Sequence, residues 1–182
     1  MRILVLKSSG NKHGSSNLLG DEFIRGAKEA GHEVTEYDVF RADIRPCTGW
    51  NSCGMSGPCI LRDDYEKTLK GMICDADMIA FVMPVYYYNW PAQIKNIVDR
   101  FYSYTGKLTA MRKKTVMIGA AWDNTDSVFE IVTAYYRKLC DYMAFQDCGV
   151  IEGKGCWSPA MTKRSRHMKE AYELGRTLKD RN

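Results

Sequence analysis

The sequence predicts an α/β fold, in which a doubly wound parallel sheet of five strands carries helices on both faces. Short runs with strand character alternate with longer segments of helical periodicity along the 182 residues, as expected when helices connect parallel strands. Runs such as Ile3–Leu6 and Met78–Met83 are continuously apolar, which is typical of strands buried on both faces. Together these two observations predict the layered architecture.

Each element follows from a local pattern. Apolar residues recur at helical spacing from Leu18 to Ala27, and Gly31 ends that pattern. The helical segment Pro91–Tyr104 has proline in its first turn, where the missing N–H has no partner to lose. The other predicted helices are Asp64–Asp75, Thr125–Ala144 and Pro159–Leu178. The predicted strands are Ile3–Leu6, Glu33–Val39, Met78–Met83, Thr115–Ala121 and Cys148–Ile151.

Length and charge narrow the class of protein. A chain of 182 residues predicts a single domain, residues 1–182, with one irregular segment at about 41–63 that contains three cysteines. The net charge is +4, and the surplus lies entirely in residues 151–182. So small and local a surplus is more typical of a solvated helix than of a nucleic-acid surface, and we predict no nucleic-acid partner.

The start of the chain and its cysteines suggest a location. The apolar run Ile3–Leu6 is too short for the core of a signal peptide, and no run is long enough to span a membrane. We therefore expect a cytoplasmic protein without a membrane partner. In that compartment the seven cysteines are expected to be reduced thiols or ligands, and not disulfides.

Three loops leave the carboxyl ends of predicted strands: Ser8–Asn17, Pro84–Trp90 and Ala120–Asp126. Ligands of open α/β sheets bind at this edge, so the loops are candidates for one shared site. The first loop is rich in hydroxyl and amide side chains and leads into a helix, a setting that suits a phosphate. A simple helix cap by serine or asparagine is the alternative interpretation.

A resemblance to a known family adds to this interpretation. The features that carry it are the hydroxyl-rich first loop, the cysteine-rich loop ending in Asp63-Asp64, and the block Pro84-Val-Tyr86 followed by Pro91, Lys95 and Asp99-Arg100. In these features the chain resembles the flavodoxin-like NAD(P)H-dependent oxidoreductases, the group of FMN reductases and iron–sulfur flavoproteins. The resemblance covers residues 1 to about 126.

The resemblance implies a flavodoxin-like sheet of order 2-1-3-4-5, bound FMN, NAD(P)H as co-substrate and a homodimer. By matching position, the first loop would hold the FMN phosphate through Ser9, Ser15, Ser16 and Asn17, with Asn11 in the same loop. The second loop would follow the isoalloxazine edge through Pro84, Val85, Tyr86, Tyr87 and Asn89. The third flavin loop would contribute Gly119, Ala120, Trp122 and Asp123, although the family often has more glycine there.

The function expected from this resemblance is that of an FMN-dependent oxidoreductase. It would take a hydride from NAD(P)H and reduce a small acceptor such as a quinone, a nitro- or azo-aromatic, or free flavin. One alternative is a flavin electron-transfer protein, of flavodoxin or iron–sulfur flavoprotein type, without a nicotinamide site. Another is a regulatory or scaffold protein that keeps the fold. Because the cofactor carries the chemistry, the sequence assigns no catalytic acid or base.

The segment Cys47–Cys59 contains three cysteines spaced C-x5-C-x5-C. The iron–sulfur flavoproteins carry C-x2-C-x2-C-x5-C in this loop, and Trp50 stands at the position of their second ligand. A cluster held by cysteine alone needs four thiolates. We therefore predict no bound metal, with Cys47, Cys53 and Cys59 as free thiols. A zinc site completed by Cys74 or a histidine remains the alternative.

Overall fold

The computed structural model describes residues 1–179, and these contain five strands in one parallel sheet. The strands are β1 (Arg2–Lys7), β2 (Glu33–Asp38), β3 (Met78–Pro84), β4 (Lys114–Ala120) and β5 (Gln146–Gly153). Their order across the sheet is β2-β1-β3-β4-β5, which confirms the predicted fold class. The last three residues of the predicted domain and of its basic terminal segment, 180–182, lie outside the described residues.

The helices cover both faces of the sheet. They are α1 (Ser15–Glu29), α2 (Lys70–Asp75), α3 (Ala92–Arg100), α4 (Thr105–Ala110), α5 (Ser127–Met143), α6 (Pro159–Arg164) and α7 (His167–Arg176). Alternate residues of β1 belong to two separate hydrophobic cores. Ile3 and Val5 pack with α1 and α7, whereas Leu4 and Leu6 pack with α2, α3 and α5. The helices that follow β1 and β3 therefore lie on opposite faces, which opens a crevice between the two strand ends.

Several predicted boundaries were wrong in their details. The segment Pro91–Tyr104 is α-helical only to Arg100 and then continues as a 3₁₀ turn, Phe101–Tyr104. The segment predicted at Asp64–Asp75 begins with the π-helical turn Tyr65–Leu69. The closing helix is broken at Ser165, which is extended and whose hydroxyl donates to the Thr162 carbonyl at 2.7 Å. A serine that satisfies a helical carbonyl in this way competes with continuation of the helix.

Helices α1 and α7 pack backbone against backbone. A Cβ atom at Gly26 would overlap the Tyr172 carbonyl oxygen, and one at Gly175 would overlap the Phe23 carbonyl oxygen. Glycine is therefore required at both positions for this close approach. Among residues 1–179, no helix is long and apolar enough to cross a membrane.

We predict that Gly26→Ala lowers the free energy of unfolding by about 1–3 kcal/mol, because the added methyl group forces α1 and α7 apart. Gly71→Ala is the matched control, since Gly71 lies in α2 and a Cβ there meets no atom within 4 Å. That variant should be unchanged or up to about 1 kcal/mol more stable. Urea denaturation of both variants measures the difference, and equal behaviour would contradict the close packing.

Candidate functional site

Four loops at the carboxyl edge of the sheet surround one open cleft of about 320 Å³. They follow β1, β3, β4 and β5, and the fourth was not among the three predicted loops. The lining residues are Ser9, Ser15, Ser16, Pro84, Val85, Tyr86, Ala120, Ala121, Trp122, Cys156 and Trp157. This lining contains neither a carboxylate nor a basic side chain, so the walls of the cleft are uncharged.

The first turn of α1 opens on this cleft and fits an anion. Within the described chain, no side chain caps this helix, whose N-cap residue Gly14 is extended. The Gly14 N–H is already bonded to the Asn11 carbonyl at 2.9 Å. The next three amides, of residues 15–17, lack intrahelical acceptors by the geometry of a helix start. Together with the hydroxyls of Ser15 and Ser16, they form a cradle for a phosphate.

Asn11 and Asn17 shape this loop from behind. The Asn17 Nδ2 atom donates to the carbonyl of Asn11 at 3.0 Å, and the Asn11 Oδ1 atom accepts from the His13 N–H at 3.0 Å. Asn17 is 95% buried, and its Oδ1 atom has no partner within residues 1–179. Both asparagines therefore hold the loop conformation, and neither lines the cleft.

The second loop contains a strained tight turn. Tyr86 and Asn89 exchange two backbone hydrogen bonds at 3.1 and 3.0 Å, and the residues between them, Tyr87 and Tyr88, have φ angles of 48° and 60°. Such a turn normally uses glycine or asparagine, because a left-handed residue with a side chain costs roughly 1–2 kcal/mol. Trp90, which follows Asn89, is buried. Its indole N–H donates to the Val132 carbonyl at 3.3 Å, which fixes the end of the turn.

The third and fourth loops are joined by backbone hydrogen bonds. The Cys156 N–H donates to the Ala121 carbonyl at 2.8 Å, and the Gly155 N–H donates to the Asp123 carbonyl at 2.9 Å. The Asp123 carboxylate accepts from the Thr125 N–H at 2.8 Å and so serves the loop itself. Gly119 lies inside β4, where a Cβ would clash with the Phe129 ring. Glycine is therefore required at this position by the close packing of β4 against α5.

Eight of the predicted site residues line the cleft in the described structure: Ser9, Ser15, Ser16, Pro84, Val85, Tyr86, Ala120 and Trp122. The structure places six elsewhere in the same loops and strand: Asn11, Asn17, Tyr87, Asn89, Gly119 and Asp123. Sequence reasoning missed Ala121, Cys156 and Trp157. Cys156 and Trp157 could have been predicted from the sequence, because the loop after the fifth strand leaves the same edge of the parallel sheet as the other three loops.

The cysteine loop borders a different and larger cavity. This cavity, of about 610 Å³, lies between residues 47–61, the end of α3 and the last turn of α5. Cys47 is exposed, Cys53 and Cys59 are buried, and Trp50 lines the same cavity. In the described part of the chain, no group of three or more His, Cys, Asp or Glu side chains is arranged to hold a metal ion. With three thiols and an indole in place of four thiolates, the residues do not fit a cluster ligated by cysteine alone.

A buried ion pair holds the irregular segment against α3. The Arg100 Nη1 atom donates to the Asp63 Oδ2 atom at 2.8 Å, and both side chains are fully buried. Asp63 also accepts from the Arg45 N–H at 3.0 Å, and Arg100 donates to the Arg45 carbonyl at 3.2 Å. Burial alone would raise the pKa of Asp63. The hydrogen bonds from Arg100 and from the Arg45 N–H outweigh that effect and lower the pKa below its usual value.

Comparison with known proteins agrees with this architecture. A family model described as "Flavodoxin-like fold" matches residues 1–174. An NAD(P)H:quinone oxidoreductase structure from Methanothermobacter marburgensis superposes with a TM-score of 0.76 at 19% identity, covering 100% of this chain and 98% of that one. At this level of identity, the likeness shows a shared fold.

Two relatives found by sequence are themselves flavoproteins of different kinds. An iron–sulfur flavoprotein of Archaeoglobus fulgidus is 30% identical over 113 residues, 62% of this chain and 51% of the relative. An FMN-dependent NADH:quinone oxidoreductase of Aeromonas salmonicida is 27% identical over 184 residues, 88% of this chain and 91% of the relative. The chain spans about half the length of the iron–sulfur flavoprotein and nearly all of the quinone oxidoreductase.

We predict that Asp63→Asn destabilises the protein by about 3–5 kcal/mol, because it leaves the buried Arg100 charge unpaired. Asp99→Asn is the control: it removes an exposed partner of Lys95 and should cost about 1 kcal/mol or less. Chemical denaturation at neutral pH measures both values.

The same pair predicts a dependence on pH. Because the pKa of Asp63 is lower in the folded state, its contribution is fully present above the unfolded pKa of about 3.9 and is lost as pH falls through the folded value. The acid limb of the stability curve should therefore be shallower in Asp63→Asn than in Asp99→Asn. Equal acid limbs would contradict this role of the pair.

Proposed function

Because the chain belongs to the family of flavodoxin-like proteins, we propose that it is an FMN-dependent oxidoreductase that takes a hydride from NAD(P)H and reduces a small acceptor. The observation that carries the proposal is the uncapped first turn of α1, which opens on the same cleft as Pro84–Tyr86 and the tryptophans of the last two loops. An anion cradle beside an uncharged wall of aromatic side chains matches a flavin phosphate and its flat ring.

The described residues fit FMN at both ends. The phosphate would lie against the amides and hydroxyls of Ser15 and Ser16, where the dipole of α1 favours negative charge. The ring would lie between the Pro84–Tyr86 segment and Trp122. The amides of Val85 and Tyr86 already donate to the Ala120 and Asn89 carbonyls, so these two residues offer contact surface to the ring and not N–H donors.

The protein's own part in the reaction is positioning. When bound, FMN supplies the chemistry that accepts the hydride and passes on the electrons. The cleft residues would orient the ring and would exclude water from one of its sides. Because no carboxylate or basic side chain lines the cleft within the described residues, a proton would come from the Tyr86 hydroxyl, the Cys156 thiol or solvent.

The electron-transfer alternative draws support from the iron–sulfur flavoprotein relatives. It would need a partner protein in place of a nicotinamide, and a cluster-carrying version would need a fourth thiolate where Trp50 stands. The net charge of +4 also differs from the acidic balance typical of flavodoxins, which dock on basic partners through complementary charge.

Anaerobic mixing separates the two functions. The FMN-loaded protein is mixed with NADH or NADPH, flavin absorbance is followed, and the quinone menadione is then added. The oxidoreductase loses its flavin colour with a nicotinamide and regains it with menadione. A protein that is bleached by dithionite but by neither nicotinamide would contradict the proposal and favour the electron carrier.

The proposal includes a homodimer and a cytoplasmic location. Trp50, Ile60 and Tyr142 are about half exposed or more and border one apolar cavity, which gives a second copy an apolar surface to cover. Light scattering that reports twice the 20.8 kDa chain mass would support the dimer, and a monomer at micromolar concentration would refute it. The seven free thiols support a reducing compartment.

We predict that Ser15→Asp weakens FMN binding by about 10–100-fold, because a carboxylate in the cradle repels the phosphate and a charge-assisted bond is lost. Riboflavin, which lacks the phosphate, should bind both proteins equally. Ser127→Asp makes the same change at the first residue of α5 and should bind FMN like the wild type. Flavin fluorescence titration measures all five affinities. Equal losses for FMN and riboflavin would place the phosphate elsewhere.

A further inference from the structure

The cavity beside Cys47–Cys59, the cysteine-loop cavity, has no part in the proposed flavin chemistry. Its volume of about 610 Å³ lies well within the roughly 300–1,000 Å³ typical of ligand pockets. Large aromatic side chains such as Trp50 and Tyr142 line it. Within the described chain, Asp99 is the one charged residue of the lining, and Lys95 forms an ion pair with this carboxylate. The cavity therefore suits a small apolar molecule.

Three thiols border this cavity. Cys53 and Cys59 both line it, and each of these two residues is 8% exposed. Cys47, at the start of the same loop, also lines the cavity but is exposed to solvent. A cysteine reacts through its sulfur as the thiolate, in surroundings that a reagent can enter. An apolar cavity lined by thiols is therefore a candidate site of covalent modification.

A buried cation lies beside Cys59. The Arg100 side chain is 1% exposed, and its guanidinium interacts with the Cys59 side chain as well as with Asp63. Burial lowers the pKa of Arg100, but Asp63 and then Cys59 raise it, and the pKa lies above its usual value as a result. The guanidinium therefore stays charged. A positive charge beside a sulfur stabilises the negative charge that the sulfur carries when it reacts.

The same guanidinium has an unused hydrogen-bond donor. Its two Nη atoms donate to Asp63, and Nη1 also donates to the Arg45 carbonyl. The Arg100 Nε atom is buried and has no hydrogen-bond partner within residues 1–179. A buried donor without an acceptor is costly. A carbonyl oxygen that reached the guanidinium beside Cys59 would supply the missing acceptor.

We propose that Cys59 is a modification site for small apolar α,β-unsaturated carbonyl compounds, which enter the cysteine-loop cavity before they react. The Cys59 sulfur adds to the β-carbon: one S–C bond forms, the C=C π bond breaks, and the thiol proton passes through solvent to the α-carbon. The addition exchanges no electrons with a third compound, so it needs no oxidant or reductant. Because the site lies outside the cleft and needs no flavin, it goes beyond the proposed function.

Two maleimides test the site, because they share one α,β-unsaturated carbonyl ring and differ in charge: N-cyclohexylmaleimide is apolar, and maleimidoacetate carries a carboxylate. Each is added to the FMN-loaded full chain at neutral pH, and peptide mass spectrometry measures the labelling rate of each thiol. Every rate is divided by the rate of the same reagent with glutathione, which corrects for intrinsic reactivity. Cys47 is the exposed control, and Cys53 is the matched control with equal exposure in the same cavity.

Cys59 should react about 10–100-fold faster with the apolar maleimide than with the charged one, because the cavity buries the apolar ring and disfavours the carboxylate. The two reagents should label Cys47 at nearly equal rates. Cys59→Ser should abolish the fast apolar labelling, whereas Cys53→Ser should keep it. Fast apolar labelling of Cys53 in place of Cys59, or the same reagent ratio at Cys59 as at Cys47, would refute the site. The wild type alone gives these ratios, so the result does not depend on the folding of a variant.

The proposed homodimer can fail separately from this site. A second copy would cover the cavity, so the labelling of the wild type is repeated at low and at high protein concentration. Slower labelling of Cys59 at the higher concentration supports both the site and the dimer. Equal rates with the predicted reagent preference support the site and contradict coverage by a second copy. FMN affinity should be the same before and after labelling, and its loss would contradict a site separate from the cleft.

Discussion

The register of the parallel strands is the constraint on which the rest of this structure depends. Pairing aligns Lys7 with Val82, Pro84 with Ala120, and Ala120 with Gly153, so four strands end at nearly the same level. Their loops have to leave the sheet side by side. Because α1 and α3 then pack on opposite faces, the loops separate into a crevice and do not close over each other. A phosphate cradle and an aromatic wall meet there as a result of the topology.

The irregular segments that border the two cavities are held in place by different interactions. At the cleft, hydrogen bonds and a strained turn hold polar amides and aromatic rings toward solvent, an arrangement that folding alone does not favour. At the cysteine loop, the Asp63–Arg100 pair and the buried thiols tie the chain down against α3. Thr105, the first residue of α4, lines the larger cavity, but its N–H already donates to the Tyr102 carbonyl, so it offers no counterpart to the phosphate cradle.

Patterns that depend on burial were predictable from the sequence, and those that depend on tertiary contacts were not. Continuous apolar runs located the strands, because strands covered on both faces have no polar side to show. The break at Ser165 was missed because the helical periodicity continues through it. The Tyr86–Asn89 turn contradicts the residue preferences of such turns, and its conformation is fixed by the distant packing of Trp90 on Phe81 and Tyr135. Trp157 was missed because the rule for strand ends was applied to three loops and not to the fourth.

A crystal structure of the chain grown with FMN tests the central claim most directly. The account predicts the phosphate at the first turn of α1, against Ser15 and Ser16, and the isoalloxazine ring between the Pro84–Tyr86 segment and Trp122. Flavin density in the cavity beside Cys47–Cys59, or a phosphate away from α1, would contradict it.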